Sequence, residues 1–176
     1  MKIDKTKDHE AVVSAARIWA EATAKRDEDG RAQPDHAIEK IDGVLSSSEQ
    51  SFLLVLSGSS TEPGDDQALE PAEEEPTSII SFGAFEPEED GPGDRAELRY
   101  LGVDPNHWGS GWASRLLVAA PSALRDSGFT SCVLWVHADN TRAIWVYESV
   151  GWTRTGNTRT NHQTGKVMEQ YLLDLS

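Results

Sequence analysis

Cysteine is nearly absent from this chain: Cys132 is the single one in 176 residues, so no disulfide can form within it. Set in an apolar stretch, that thiol reads as a small buried hydrophobe. No apolar run is long enough to cross a bilayer, and the opening MKIDKTKDHE lacks the pattern of a signal peptide. Together these absences predict a reducing, cytoplasmic setting and no membrane partner. The five histidines, at positions 9, 36, 107, 137 and 162, show no metal-ligand spacing, so no metal is expected.

Positive charge is scarce as well. The chain carries 16 Lys and Arg against 30 Asp and Glu, a formal net charge of −14. The imbalance is local, because twelve of those acids lie between Glu62 and Asp94, where no Lys or Arg occurs. The rest holds 18 acids against 16 bases. Phosphate backbones need concentrated basic patches, and with none here a nucleic-acid partner is disfavoured. The Gly-, Pro-, Ser- and acid-rich part of the excess, Gly58 to Pro76, offers little apolar surface to offset its ordering entropy. A mobile loop is expected at 58–76.

What the chain does have is concentrated between Leu98 and Leu117, LRYLGVDPNHWGSGWASRLL. Its first residues are apolar and aromatic, suited to a half-buried strand that Pro105 ends. Gly109-Ser110-Gly111 follows, and then Trp112, Leu116, Leu117, Ala120 and Leu124 recur at helical spacing. A strand, a loop with two close glycines and a helix start make a phosphate site, because unpaired N–H groups and the helix dipole favour an anion there. A dinucleotide fold is the alternative, with Asp139 as its acidic residue. Against it, the glycines stand too far past the strand, and too few residues follow Asp139 for a second nucleotide-binding half.

Elsewhere the chain alternates strands and helices. Met1–Lys7 reads as a strand, with Met1, Ile3 and Lys5 on one face. Asp8 caps a helix with Val12, Val13, Ala16, Ile18 and Trp19 on its apolar side, which the charged stretch Lys25–Arg31 ends. Pro34-Asp35 opens a second helix with Ile38, Ile41, Val44 and Leu45. Strands are expected over 51–56, 77–85 and 131–137, the second forming an antiparallel hairpin with the strand at Leu98. Pro121 predicts a kink or an early end in the helix after the glycine loop. Asn140 caps the next helix, Gly151 stops it, and two strands close the chain at 152–160 and 166–175.

The order β-α-α-β-β-β-α-β-α-β-β gives an α/β fold, a mixed sheet with helices on its faces. With two spaced motifs it resembles the GNAT superfamily of acetyl-CoA-dependent N-acetyltransferases. The first is V-x-P-x-x-[QR]-x-x-G-x-[GA], met by Val103, Pro105, Gly111 and Ala113, with Trp108 in the Gln/Arg place. The second is N-x-x-A-x-x-x-Y-x-x-x-G-[FW], met by Asn140, Ala143, Tyr147, Gly151 and Trp152. The match is firm from about Glu97 to Trp152 and topological elsewhere. The resemblance implies one domain over 1–176, built on a mostly antiparallel sheet with helices on both faces.

It implies more about the site. Acetyl-CoA would be the acetyl donor and a small-molecule or peptide amine the acceptor; a homodimer is left open. The backbone beside Leu101 and Val103 would pair with the pantetheine arm. Amides from Gly109, Ser110, Gly111, Trp112 and Ala113 would cradle the pyrophosphate, flanked by Trp108, with Asn140 also against the cofactor. Tyr147 would protonate the departing sulfur, and Glu97 would be the base. From the residues alone, Tyr147 can also be read as core and Glu97 as an exposed strand carboxylate. The last loop, with Arg154, Arg159, His162 and Lys166, opposes the acidic segment in sign and leaves the acceptor unread. A non-catalytic acyl-CoA-binding module is the alternative to an enzyme.

Overall fold

In the computed structural model, residues 1–26, 33–58, 78–162 and 164–176 are described. The acidic loop expected at 58–76 falls, except for Gly58, outside them, as does most of the charged stretch expected to end the first helix.

The elements follow the expected order: β1 (Lys2–Thr6), α1 (His9–Arg26), α2 (Pro34–Ser46), β2 (Phe52–Gly58), β3 (Ser78–Pro87), β4 (Arg95–Val103), α3 (Trp112–Asp126), β5 (Ser131–His137), α4 (Thr141–Ser149), β6 (Thr153–Thr160) and β7 (Val167–Asp174), with a 3₁₀ turn at Pro105–His107. The strands form one seven-stranded sheet in the order β1-β2-β3-β4-β5-β7-β6. Every neighbouring pair is antiparallel except β4 and β5. Parallel strands need a crossover connection, and α3 supplies it.

Period-two alternation sends each strand's side chains to opposite faces. One face gathers Phe52, Leu54, Phe85, Ala96, Leu98, Leu134 and Tyr171 with α3's Leu116, Leu117 and Leu124 and α4's Tyr147. The other packs Leu53, Val55, Phe82 and Ala84 against α1 and α2. Helices therefore cover both faces. None of them, among the described residues, is long and apolar enough to cross a membrane.

One local expectation needs correction. Val13 is exposed, because α1 buries Val12, Ala15, Ala16 and Ile18, and Val13 lies about a sixth of a turn past Ala16 at the edge of that stripe. Of the two outcomes expected at Pro121, the early end does not occur; α3 runs to Asp126 with the proline inside it. The missing hydrogen bond costs about 3 kcal/mol. Leu116, Leu117 and Ala120 before the proline, and Ala123 and Leu124 after it, are all buried. Each buried leucine contributes about 1.5–3 kcal/mol, so packing outweighs the break.

Candidate active site

The site begins where the two parallel strands part. β4 and β5 pair only from Arg95–Ser131 to Leu98–Leu134, yet β4 continues to Val103 and β5 to His137. A bulge contributes: on β3, Ala84 faces Tyr100 and Phe85 faces Leu98, so Arg99 is an extra residue. Bulges bend and twist the strand that carries them. Leu101 and Val103 lie on the half of β4 that β5 leaves unpaired, as a strand-like ligand would require.

Below that opening lies the glycine loop. Asp104 accepts a hydrogen bond from the Asn106 amide at 2.8 Å and starts the 3₁₀ turn. The Trp108 indole N–H donates to the Val103 carbonyl at 2.9 Å, tying the loop back to the strand end. Gly109 and Gly111 have φ of +87° and +78°, a region that L side chains rarely adopt. A Cβ built on either would meet nothing within 4 Å, so both face open space. Gly111 precedes α3, and no side chain caps that helix. The first-turn amides, including those of Trp112 and Ala113, are left to an outside acceptor, and the dipole favours a negative one. Two cations converge on the Trp108 ring: Lys25 Nζ lies 5.0 Å and Arg142 Cζ 5.9 Å from its centroid. These residues fit a diphosphate.

Asn140 performs the capping role its position predicted. Its side-chain oxygen accepts from the Ala143 amide at 3.2 Å and starts α4. Tyr147 is buried two turns on, its ring 6.1 Å from that of Trp152. Burial pushes its phenol up to about 12, so the hydroxyl holds its proton throughout the physiological range.

Glu97 stands on the opposite face, and it is not the exposed carboxylate that its sequence allowed: it is 6 % exposed. Burial raises its pKa, and the Arg99 and Arg159 guanidiniums partly offset that. Arg99 bridges Glu97 at 3.3 Å and Glu86 at 3.2 Å. Arg159, from β6, approaches Glu97 at 3.9 Å while its guanidinium lies 4.2 Å from the Trp135 ring centroid. Trp135 is the first β5 residue beyond the paired segment. Sequence reasoning missed Trp135 and Arg99 as site residues and took Arg159 only as part of a basic loop. Strand alternation does put Val133 and Trp135 on one face of β5, but nothing in the sequence brings β6 across to it.

Two of the four basic residues expected in the last loop are paired with acids from elsewhere. Arg154 pairs with Glu169, and Lys166 with Asp139. Cys132 is fully buried, and burial raises its thiol well above the usual range, as suits a core residue.

Comparisons with known proteins agree with this fold. The sequence pattern of the Acetyltransferase (GNAT) family matches residues 46–152. Mycothiol acetyltransferase of Rhodococcus erythropolis is 34% identical over 86 residues, 47% of this chain and 28% of that protein. The enzyme of that name from Thermobispora bispora is 40% identical over 65 residues, 37% of this chain and 21% of its own. The aligned segments thus span about a quarter of the length of these relatives. Among solved structures, the ribosomal-protein-S18-alanine N-acetyltransferase of Escherichia coli superposes with a TM-score of 0.67 at 19% identity, covering 99% of this chain and 95% of that one. yncA from Salmonella typhimurium, solved with its cofactor acetyl-CoA, has a TM-score of 0.63 at 16% identity, covering 99% and 94%. At such identities the structures speak for the fold.

Proposed function

This chain belongs to the Acetyltransferase (GNAT) family, and from that premise we propose that it transfers the acetyl group of acetyl-CoA to the primary amine of a small-molecule or peptide acceptor. The observation that carries the reading is the opening between β4 and β5. Supporting it are an uncapped helix start preceded by two open glycines, a buried phenol on the α3 and α4 face of the sheet and a buried carboxylate on the other. We read residues 1–176 as one domain in the cytoplasm.

The cofactor supplies an activated thioester carbonyl. Everything else falls to this chain. Amides from Gly109 to Ala113, with Trp108 and Asn140 beside them, hold the diphosphate end. The free edge at Leu101 and Val103 offers N–H and C=O groups to an amide-bearing arm and orients it. N–H groups of the same edge can stabilise an oxyanion. Glu97 takes the proton that the amine releases as its nitrogen bonds to the acyl carbon. Its raised pKa makes it a better base than an ordinary carboxylate. Tyr147 Oη holds the proton that sulfur needs as the carbon–sulfur bond breaks.

A binding module has no use for that phenol or that carboxylate. The test is thiol release from acetyl-CoA with a panel of amines, alongside direct binding of acetyl-CoA. Amine-dependent release supports the transferase. Tight binding with no release for any amine would leave the acyl-CoA-binding module as the better reading.

A further inference from the structure

We propose that the acceptor is a free α-amino carboxylate, and that Arg159 is the specificity residue that binds its carboxylate while Glu97 receives its amine. This deepens the transferase reading and rests on it.

Arg159 differs from the arginines around it. Arg95 is hydrogen-bonded to Glu88 and Arg99 to Glu97, and Arg154 is committed to Glu169. The Arg159 guanidinium is instead held by stacking on Trp135 at 4.2 Å, and its nearest carboxylate oxygen, on Glu97, is 3.9 Å away, beyond hydrogen-bond reach. Among the described residues its donors are therefore unspent. The side chain is 45% exposed, and partial burial lowers its pKa, so some of its water has already been given up. A planar fork that is fixed, partly desolvated and open in its donors is what bidentate carboxylate recognition uses.

Charge balance points the same way. On this face three carboxylates, of Glu86, Glu88 and Glu97, meet three guanidiniums, of Arg95, Arg99 and Arg159. A site for a bare cationic amine would gain from net negative charge. A neutral site suits a zwitterion, whose two charges each find a counterpart. Spacing narrows the class further. With Glu97 Oε1 and Arg159 Nη2 3.9 Å apart, an ammonium and a carboxylate joined by a single α-carbon can reach both partners at once. A peptide N-terminus or a lysine side chain within a protein carries no carboxylate at that distance.

The test uses the full chain with saturating acetyl-CoA and two acceptor mixtures, the protein α-amino acids and their α-carboxamides. The amide amines are the less basic and the more available as free nucleophiles at neutral pH, so a preference for the acids runs against intrinsic reactivity. The expected kcat/KM favours the acids at least tenfold. Arg159→Gln should bring that ratio close to one, chiefly through a ten- to hundredfold rise in KM for the acids, with acetyl-CoA still bound. Arg159→Lys should recover part of the preference. A wild-type preference for the amides overturns the proposal, as does equal loss on both mixtures in Arg159→Gln. So does failure of both mixtures in a chain that binds acetyl-CoA. Failure to bind acetyl-CoA at all would instead overturn the transferase reading beneath it.

Discussion

The two sides of the strand opening are built from different materials. The side below β4 is made of backbone: two glycines, the first turn of α3 and a free strand edge, with Trp108 bracing the loop through the Val103 carbonyl. The side facing β6 is made of side chains, where Glu97, Arg99, Arg159 and Trp135 come together from three strands. A backbone site depends little on side-chain identity, since amides and a helix dipole vary little with sequence. A side-chain site can be retuned one residue at a time. The function proposed above puts the donor on the first side and the acceptor on the second.

The largest effect expected from testing this contrast is at Tyr147, buried on the α3 and α4 face of the sheet. Tyr147→Phe keeps the ring and its packing and removes only the hydroxyl. It should lower kcat by about 10²–10⁴ and change the acetyl-CoA dissociation constant by about threefold or less, the pattern of an interaction made in the transition state. Near wild-type turnover between about pH 6 and 9, the range over which Tyr147 stays protonated and acid catalysis should hold, would make Tyr147 a core residue only.

Glu97→Gln sharpens the side-chain half through pH. With the folded pKa raised by burial, the acidic limb of kcat/KM should lie above the ordinary carboxylate range, and the Gln variant should lose that limb along with most of its activity. Stability should move in a definite sense. A raised folded pKa contributes stability below the unfolded value that is lost as pH rises through the folded one. The urea midpoint of Glu97→Gln relative to wild type should therefore be higher at neutral pH than at pH near 4, below the ordinary carboxylate pKa. A midpoint difference that fell with pH would show that the arginines, not burial, dominate at this carboxylate.

Gly111→Val probes the backbone half. At φ +78° a β-branched residue is strained, and its side chain would stand in the space open to the ligand. Acetyl-CoA binding should weaken by well over tenfold, with acceptor preference among the remaining turnovers unchanged. An unaltered dissociation constant in the folded variant would move the diphosphate elsewhere. The smallest effect is expected at Trp108→Phe, which deletes the hydrogen bond to Val103 and should cost about 0.5–1.5 kcal/mol in urea unfolding. A much larger cost would show that Trp108 holds the loop by packing and not by its N–H.

The backbone half was legible in the sequence because it depends on residues with few alternatives. Only glycine is comfortable at positive φ, only proline ends a strand by lacking a donor, and Asn140 caps α4 through a bond to a residue three positions away. Those constraints act over a few residues, so a linear reading finds them, and with them the order of strands and helices. The same local reasoning left Pro121 between a kink and an early end, because its cost is local but its compensation comes from leucines packed against the sheet. It could not decide Glu97 either, because burial is a property of the whole fold. The pairing of Arg154 with Glu169 and Lys166 with Asp139, and the meeting of Glu97 with Arg159 across 62 positions of chain, depend on which strands become neighbours. Sequence by itself determined the elements, their order and the glycine turn ahead of α3, because hydrogen-bond and dihedral preferences are written residue by residue. Only the tertiary structure decided the charge and burial around Glu97, because those depend on side chains brought together from β4, β5 and β6, and no spacing along the chain encodes that distance.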